Sequence, residues 1–237
     1  MPHLNDIVRR HAGGDRARPA PIRLAVFDLD GTLTRSGTSV LRHLGHAFGF
    51  AAEAEDLIAH YAARRIDNAQ VSRTAASRLR GRARTELQHA LATLPMVHGI
   101  AETVDLLRGW RVCSALATIT FDVAAQYVAG RVGISHVAAT ALEWSRDDHA
   151  TGRVADVLES EDKCCFIERL CADLGITSAQ VLVVGDAHSD IPAMRLARWS
   201  VGYNPTPEVA RLASVSVHDS TDLRDMVPHI RDLLDDG

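Results

Sequence analysis

Short apolar runs alternate along this chain with longer stretches in which apolar residues recur at helical spacing. Three of the runs are rich in branched or aromatic residues, which is typical of buried strands, and they cover residues 22–27, 111–117 and 181–184. Shorter strands are predicted at 136–139 and 200–201. Strands that alternate with helices predict an α/β fold built on a doubly wound parallel sheet.

Helices and one hairpin are predicted between these strands. Apolar residues recur there three and four positions apart, which is the period of a helix with one buried face. Two apolar segments, 142–145 and 153–157, flank a polar turn and predict a hairpin. The predicted helices cover about 100–107, 121–131, 162–174, 190–197 and 221–235.

A stretch of different character follows the first strand, from Ser36 to about Leu94. It lacks proline, is rich in alanine, and is predicted to form helices over about 38–48, 53–64, 68–80 and 84–94. This excursion is long for a crossover connection. We therefore interpret residues 36–94 as a helical-bundle cap inserted into a core of 22–35 and 95–237, with 1–21 as an N-terminal extension. The alternative is that these helices only cover the sheet.

Two carboxylates end the first strand. Side chains of an extended segment alternate between two faces, so Asp28 and Asp30 are expected to project to the same side. Like charges this close repel each other unless a cation or a proton lies between them. Open parallel sheets bind their ligands at this edge. The alternative is a strand followed by an ordinary Asp-Gly turn at Gly31.

Polar groups recur after the later strands. Thr118 follows the second strand, Lys163 begins a helix, and Asp186 and Asp190 follow the third strand. A hydroxyl and a compact ammonium suit phosphoryl oxygens, and hard carboxylate oxygens suit Mg²⁺. Taken singly, the threonine is also explained by local backbone hydrogen bonding and the lysine by a solvated surface position.

Composition and charge narrow the classes of partner. The 237 residues are 46% hydrophobic and 24% charged, with a net charge of −4, as in an ordinary globular protein with a sizeable core. This charge argues against a nucleic-acid or anionic-membrane partner. No apolar run approaches the roughly 20 residues of a membrane span, and the N-terminus has no apolar signal core. We expect a cytoplasmic monomer or homodimer.

Together, the order strand-DxDGT, strand-Thr, Lys and strand-GDxxxD resembles the four motifs of the haloacid dehalogenase superfamily. Within it, the chain is most similar to phosphoserine-phosphatase-type members, which carry a helical cap between the first and second motifs. The resemblance implies a Rossmann-like core. It also implies a Mg²⁺-dependent phosphatase that acts on a small soluble phosphate ester through an aspartyl-phosphate.

The resemblance assigns roles at the strand edge. Asp28 would be the nucleophile, and Asp30 would be the general acid and then the general base. The Mg²⁺ ligands would be the Asp28 carboxylate, the Asp30 backbone carbonyl and Asp186. Asp190 would bind the metal through water or lie close behind its ligands.

The resemblance also assigns substrate contacts. Thr118, the backbone amide of Ile119 and Lys163 would bind the phosphoryl oxygens, and Lys163 would hold the nucleophile ionised. Arg73 falls where phosphoserine phosphatases bind the substrate carboxylate, although a solvated helix arginine is the alternative. Ser189, in the fourth motif, is included among the substrate-binding residues.

Two positions depart from that pattern. Gly37 stands where phosphoserine phosphatases have the glutamate that binds the substrate ammonium, which puts phosphoserine itself in question. In the fourth motif the usual glycine and asparagine are replaced by Ala187 and Ser189, with His188 between them. His188 is expected to be a solvent-facing loop residue, and the alternative is that it reaches the substrate. The sequence leaves two alternatives open, a phosphotransferase or mutase with the same aspartyl-phosphate, and a non-catalytic binding module on this fold.

Overall fold

A seven-stranded sheet forms the centre of the residues that the structure, a computed structural model, describes, 21–235. Its strand order is β4-β3-β2-β1-β5-β6-β7, and every neighbouring pair is parallel except β3 and β4. The predicted α/β fold is therefore confirmed. The strands are β1 (Leu24–Phe27), β2 (Cys113–Phe121), β3 (His136–Trp144), β4 (Ala150–Asp156), β5 (Val181–Gly185), β6 (Trp199–Tyr203) and β7 (Val215–Val217).

Ten α-helices accompany the sheet within the described residues. The helices are α1 (Val40–Phe48), α2 (Ala51–Ala62), α3 (Asn68–Arg78), α4 (Arg84–Leu91), α5 (Ile100–Gly109), α6 (Asp122–Val132), α7 (Asp162–Leu174), α8 (Ile191–Leu196), α9 (Pro207–Leu212) and α10 (Val227–Asp235). None of them is both long enough and apolar enough to span a bilayer. The N-terminal extension expected over 1–21 lies, apart from Pro21, outside the described residues.

The two most buried strands lie side by side at the middle of the sheet. Every residue of β1 and of β5 is buried, and Phe27 is in register with Val184 at their carboxyl ends. The chain passes from β1 to β2 on one side and later returns to β5 on the other side. Ligands of open parallel sheets bind at such a switch point, just beyond the carboxyl ends of the strands.

Several boundaries differ from the sequence prediction. β2 continues to Phe121 instead of ending at Ala117, and β3 is one strand that includes the first arm of the predicted hairpin. α9 and β7 were not predicted. The closing helix begins at Val227, after a 3-10 turn over Leu223–Met226. These differences lie where elements are short or continue through polar positions.

The helices α1 to α4 pack over the carboxyl edge of the sheet. Their apolar faces, including Leu44 of α1 and Leu87 of α4, belong to the same hydrophobic cluster as Phe27 and Leu116 of the strands. Because one cluster joins both parts, burial alone draws no boundary at residues 36 and 94. The division into a cap and a core stays a prediction.

Polar contacts at both ends of α3 anchor this helical segment to the rest of the fold. The Asn68 side chain donates to the Ile119 and Leu158 carbonyls at 2.9 and 2.8 Å, while the Glu159 carboxylate accepts from the first backbone N–H groups of α3. Carboxylates are favourable at the positive end of a helix dipole. At the other end of α3, the backbone of Gly81 donates to the Ala150 carbonyl at 2.8 Å.

Candidate active site

The carboxyl ends of β1 and β5 bring four charged side chains together. Asp28 follows β1 directly, and its backbone N–H donates to the Val184 carbonyl of β5 at 2.9 Å. Asp186 follows β5, and Asp190 ends the 3-10 turn over His188–Asp190. Lys163 reaches the same place from the first turn of α7. The structure therefore brings together four residues that the sequence places in three separate motifs.

Lys163 is the cation at the centre of this cluster. Its Nζ donates to Asp28 Oδ1 and to Asp190 Oδ1, both at 2.7 Å, and the side chain is only 2% exposed. Burial by itself would lower the pKa of Lys163, but the charges of Asp190 and Asp28 outweigh burial and raise it. The solvated surface position considered for this lysine is excluded by its burial.

The amino-acid composition also singles out Lys163. The chain has 26 lysines and arginines together, and Lys163 is the only lysine. A solvated surface position would accept arginine as readily. The position between two buried carboxylates requires a compact ammonium, because the planar guanidinium of arginine differs from it in size and geometry.

Asp190 positions the loop that follows β5. Its Oδ2 accepts the backbone N–H groups of Asp186 and Ala187 at 3.1 and 3.3 Å, and its Oδ1 accepts from Lys163. A Cβ at Gly185 would lie 2.3 Å from the Asp190 carboxyl carbon, so a glycine is needed there. Both oxygens are already hydrogen-bonded, which suits a residue that supports the site from behind.

Asp186 is the carboxylate with spare coordinating capacity. Its Oδ1 is buried and has no hydrogen-bond partner within the part of the chain that the structure describes. One carboxylate oxygen from each of Asp28, Asp186 and Asp190 lies within 4.8 Å of the others. A buried carboxylate oxygen without a donor is costly unless a cation or a proton compensates it. This donor set fits Mg²⁺, which prefers hard oxygen ligands.

The pKa of Asp28 is also shifted in this cluster. Burial raises the pKa of Asp28 to about 7, against the lowering effect of Lys163. Lys163 therefore favours the ionised form of Asp28, as expected, but burial has the larger effect on this pKa. Burial likewise raises the pKa of Asp186 well above its ordinary value, and the charge of Asp190 adds to that effect. One lysine does not neutralise the cluster, which further favours a bound divalent cation.

Asp30 lies beside this cluster, at the N-terminus of α1. Its Oδ1 accepts the backbone N–H of Val40 at 2.8 Å. Burial raises the pKa of Asp30 to about 6, although the bond from Val40 and the charge of Lys163 lower it. A carboxyl group with a pKa in this range can both donate and accept a proton near neutral pH.

Gly31 lets the loop after β1 approach Asp186. Its φ is +83°, and a Cβ built there would lie 2.3 Å from Asp186 Oδ2. The loop is held by the Gly31 N–H, which donates to Thr34 Oγ1 at 2.8 Å, and by the Thr34 hydroxyl, which donates to the Thr38 carbonyl. Any larger residue at Gly31 would displace the carboxylate that has spare capacity.

A cavity of about 210 Å³ opens above Asp28 and Asp30. Its floor contains the predicted phosphoryl-binding residues Thr118 and Ile119 from β2, and Ser189 from the turn after β5. Thr120, two residues after Thr118, also lines this floor. The structure therefore brings Asp28, Asp30, Thr118 and Ile119 to a single cavity, and Lys163, which is not among its lining residues, contacts Asp28 beneath it.

Arg73 is not brought to this cavity. Its side chain is exposed on α3, and it lies outside the described residues that line the cavity. Asn68 and Val71 are the residues of that helix that line the cavity, and at about 100° per residue Arg73 lies roughly 140° and 160° around the helix from them, on the opposite face. The structure thus favours the alternative of a solvated helix arginine.

Two aromatic side chains that the sequence did not single out as site residues also line the cavity. Tyr61, at the end of α2, packs against His188 with ring centroids 4.8 Å apart and ring planes tilted by 38°. The imidazole is half-buried and lines the cavity, which favours the alternative that His188 faces the substrate over a solvent-facing loop position. Burial lowers the pKa of His188. No local signal marks the pair, because its two residues meet only when the helical segment folds over the sheet.

Comparison with known proteins identifies the family. The model of the haloacid dehalogenase-like hydrolases matches residues 25–195, which include all the motifs described above. The chain belongs to this family. The resemblance that the sequence motifs indicated is therefore confirmed.

Relatives of this haloacid dehalogenase-like hydrolase include several phosphoserine phosphatases. The enzyme of Methanocaldococcus jannaschii is 22% identical over 88% of this chain and 98% of its own length. That of Haemophilus influenzae is 27% identical over 65% of this chain, a match that spans 49% of that enzyme. These relatives confirm the predicted enzyme class, a hydrolase of the phosphatase type.

Solved structures support the fold in the same way. A structure described as a phospho-aspartyl intermediate analogue of phosphoserine phosphatase superposes with a TM-score of 0.78 at 21% identity, over 89% of this chain and 99% of that one. A substrate-bound phosphoserine phosphatase complex gives a TM-score of 0.78 at 20% identity, over the same shares. At these identities the likeness establishes the shared fold.

Proposed function

We propose that this hydrolase is a Mg²⁺-dependent phosphomonoester phosphatase that acts on a small soluble phosphate ester through an aspartyl-phosphate on Asp28. The observation that carries the proposal is the buried cluster of Lys163 with Asp28, Asp186 and Asp190, beneath a cavity that also exposes Asp30. A cytoplasmic location, and a monomer or homodimer, remain part of the proposal.

In the first step, a carboxylate oxygen of Asp28 attacks the phosphorus atom of the ester. A phosphorus–oxygen bond forms to Asp28, and the bond to the leaving alkoxide breaks. Asp30 donates its proton to that alkoxide, so the alcohol leaves neutral. The pKa of about 6 for Asp30 supports this role, because a usable fraction is protonated near neutral pH.

In the second step, water hydrolyses the aspartyl-phosphate. Asp30, now ionised, accepts a proton from the water as the water oxygen attacks phosphorus, and the bond between phosphorus and Asp28 breaks. Lys163 and the Thr118 hydroxyl bind phosphoryl oxygens during both steps. Phosphate is released and Asp28 is regenerated.

Asp28, Asp186 and the backbone carbonyl of Asp30 would hold Mg²⁺, with Asp190 fixing the loop behind them. When bound, the cation supplies positive charge that lets an anionic carboxylate and an anionic phosphoryl group approach each other. The unpartnered Asp186 Oδ1 and the excess of carboxylates over lysine in the cluster support this assignment.

A phosphotransferase or mutase would use the same groups and pass the phosphoryl group to another hydroxyl. The intact set of Asp28, Asp30, Lys163 and Asp186 argues against a non-catalytic binding module. Transfer and hydrolysis are distinguished by the acceptor, because a transferase yields a new ester when an alcohol is added.

The test is phosphate release from a panel of phosphate esters, with Mg²⁺ or with a chelator. We expect release that requires Mg²⁺ and falls to background in Asp28→Asn, an exchange that keeps the size of the side chain but removes the nucleophilic carboxylate. Trapping the phosphorylated chain by acid quench and locating it on Asp28 by mass spectrometry would support the intermediate. Release by Asp28→Asn at the wild-type rate would refute the mechanism.

A further inference from the structure

The side of the cavity that faces α1, α2 and α3 is apolar. We call this side the roof; it presents Leu41, Ile58, Tyr61, Ala62 and Val71. Among the described residues that line the roof, none carries a charge. A phosphate ester held with its phosphorus at Asp28 would direct its alcohol part against this surface.

Two further residues that line the roof, Ser39 and Asn68, are polar, and both already take part in hydrogen bonds. Ser39 Oγ accepts the Arg42 N–H and so caps α1. The Asn68 amide donates to two carbonyls, as described above, and its Oδ1 accepts from Ser72 at 3.4 Å. A substrate that used the Asn68 amide would have to break bonds that hold α3 in place, and the Ser39 hydroxyl offers a neutral donor but no charge.

None of the arginines of the helical segment is among the described residues that line the cavity. Arg73 is exposed on the opposite face of α3. Three others form ion pairs with glutamates outside the cavity, namely Arg42 with Glu55, Arg64 with Glu208 and Arg78 with Glu53. A carboxylate or ammonium on the part of the substrate that faces the roof would therefore meet no oppositely charged side chain there.

Charged groups do lie nearby, but beyond the aromatic pair. Tyr61 and His188 form a wall shared between the cavity and an outer recess of about 310 Å³, which Arg65 and Glu159 also line. Tyr61 is held in this wall by its hydroxyl, which shares a hydrogen bond with Ser160 Oγ at 3.3 Å. The two rings lie between the cavity above Asp28 and the charged side chains of Arg65 and Glu159.

From this arrangement we infer that the substrate is a phosphate ester of a small, uncharged and largely apolar alcohol, and that Tyr61, Val71 and Leu41 select it. The inference rests on the proposed function and narrows it. Burying apolar surface is favourable, whereas an ionic group buried without a partner is strongly disfavoured. The volume of about 210 Å³ also lies below the roughly 300–1,000 Å³ of sites for drug-sized ligands, so a nucleotide is too large.

The test separates recognition from chemistry by using phosphonates, which bind but are not cleaved. Inhibition constants are measured with Mg²⁺ for propylphosphonate, aminopropylphosphonate and phosphonopropionate, against hydrolysis of an aryl phosphate. We expect propylphosphonate to bind at least about tenfold more tightly than either charged analogue. Equal binding, or tighter binding of a charged analogue, would overturn the inference while the aryl-phosphate activity leaves the proposed function standing. If no ester is hydrolysed, both fail.

Variants of the roof provide a second, independent test. Val71→Arg places a guanidinium in the roof and is expected to reduce or abolish the preference, with phosphonopropionate bound about tenfold more tightly than by the wild type. Tyr61→Ala keeps the roof uncharged and is expected to weaken propylphosphonate severalfold, which serves if Val71→Arg does not fold. Arg73→Ala should leave all three constants unchanged, and a loss of phosphonopropionate binding in that variant would overturn the inference.

Discussion

Replacing Lys163 by methionine removes the ammonium from between two buried carboxylates and keeps an unbranched side chain of similar length. Asp28 and Asp190 are 5% and 1% exposed, and each loses a 2.7 Å contact. Removing one partner of a buried ion pair costs about 3–5 kcal/mol. That is a large share of the roughly 5–15 kcal/mol by which a folded domain is stable.

Chemical denaturation of the metal-free protein measures this loss directly. A change of 1 kcal/mol shifts the melting temperature of a chain of this size by roughly 2–4 °C, so Lys163→Met should melt about 6–20 °C lower. The loss should be smaller at pH 5 than at pH 8, because carboxylates that have lost their cation take up protons more readily. Circular dichroism at low temperature shows whether the variant is folded before it is heated.

Arg64→Met is the matched control. Arg64 also pairs with a carboxylate, Glu208 at 2.7 Å, but both side chains are about half exposed. Exposed pairs contribute between about zero and 1 kcal/mol. If Lys163→Met lowered the free energy of unfolding at pH 8 by no more than Arg64→Met does, the buried cluster described here would be wrong.

Three further predictions concern the same edge of the sheet. Burial raises the pKa of Asp28 from an ordinary value of 3.8 to about 7 and that of Asp30 to about 6, so the metal-free folded chain keeps protons that the unfolded chain has released. Its free energy of unfolding should therefore fall as the pH rises from about 4 to about 7, and Mg²⁺ should restore more stability near pH 7 than near pH 5. A free energy of unfolding, measured by urea denaturation without metal, that did not change over this pH range would contradict the prediction. Gly31→Ala should lower kcat/KM by at least about 100-fold, because its Cβ would lie 2.3 Å from Asp186 Oδ2. Gly37→Ala is the control: Gly37 has a similar positive φ but open space around it, so this variant suffers only the backbone strain of about 1–2 kcal/mol. Equal losses of kcat/KM in the two variants would refute the clash. Asp30→Asn should slow hydrolysis of alkyl phosphates by about 10²–10⁴-fold and that of aryl phosphates less, because a good leaving group needs little protonation; equal slowing in a comparison of the two ester classes would argue against a general acid.

Much of the catalytic edge was predictable because its signals are local. β1 and β5 are short apolar runs, each followed at once by carboxylates, and the carboxyl ends of parallel strands meet at one edge whatever else the chain does. The start of α7 at Asp162 was also predicted, and this helix start places Lys163 at the same edge. The prediction of the floor of the cavity needed no knowledge of long-range packing beyond the sheet itself.

Short elements and one helix face were harder to predict. α9 has six residues, of which Val209 is the buried one, so it has no repeated apolar pattern to detect. Arg73 was placed by its distance from the first motif, but distance along the chain does not determine direction. At about 100° per residue, Arg73 lies roughly 140° around α3 from Asn68, and only the docking of α3 on the sheet decided which of them faces inward.

By itself, then, the sequence determined the fold class, the family and the groups that meet at the carboxyl edge of the sheet, because each depends on patterns within a few residues. The roof of the cavity was decided by the tertiary structure alone. Tyr61 and His188 are far apart along the chain and meet because α2 folds over the turn after β5. Which side chains face a shared cavity depends on how two elements pack, and no pattern within either element records that.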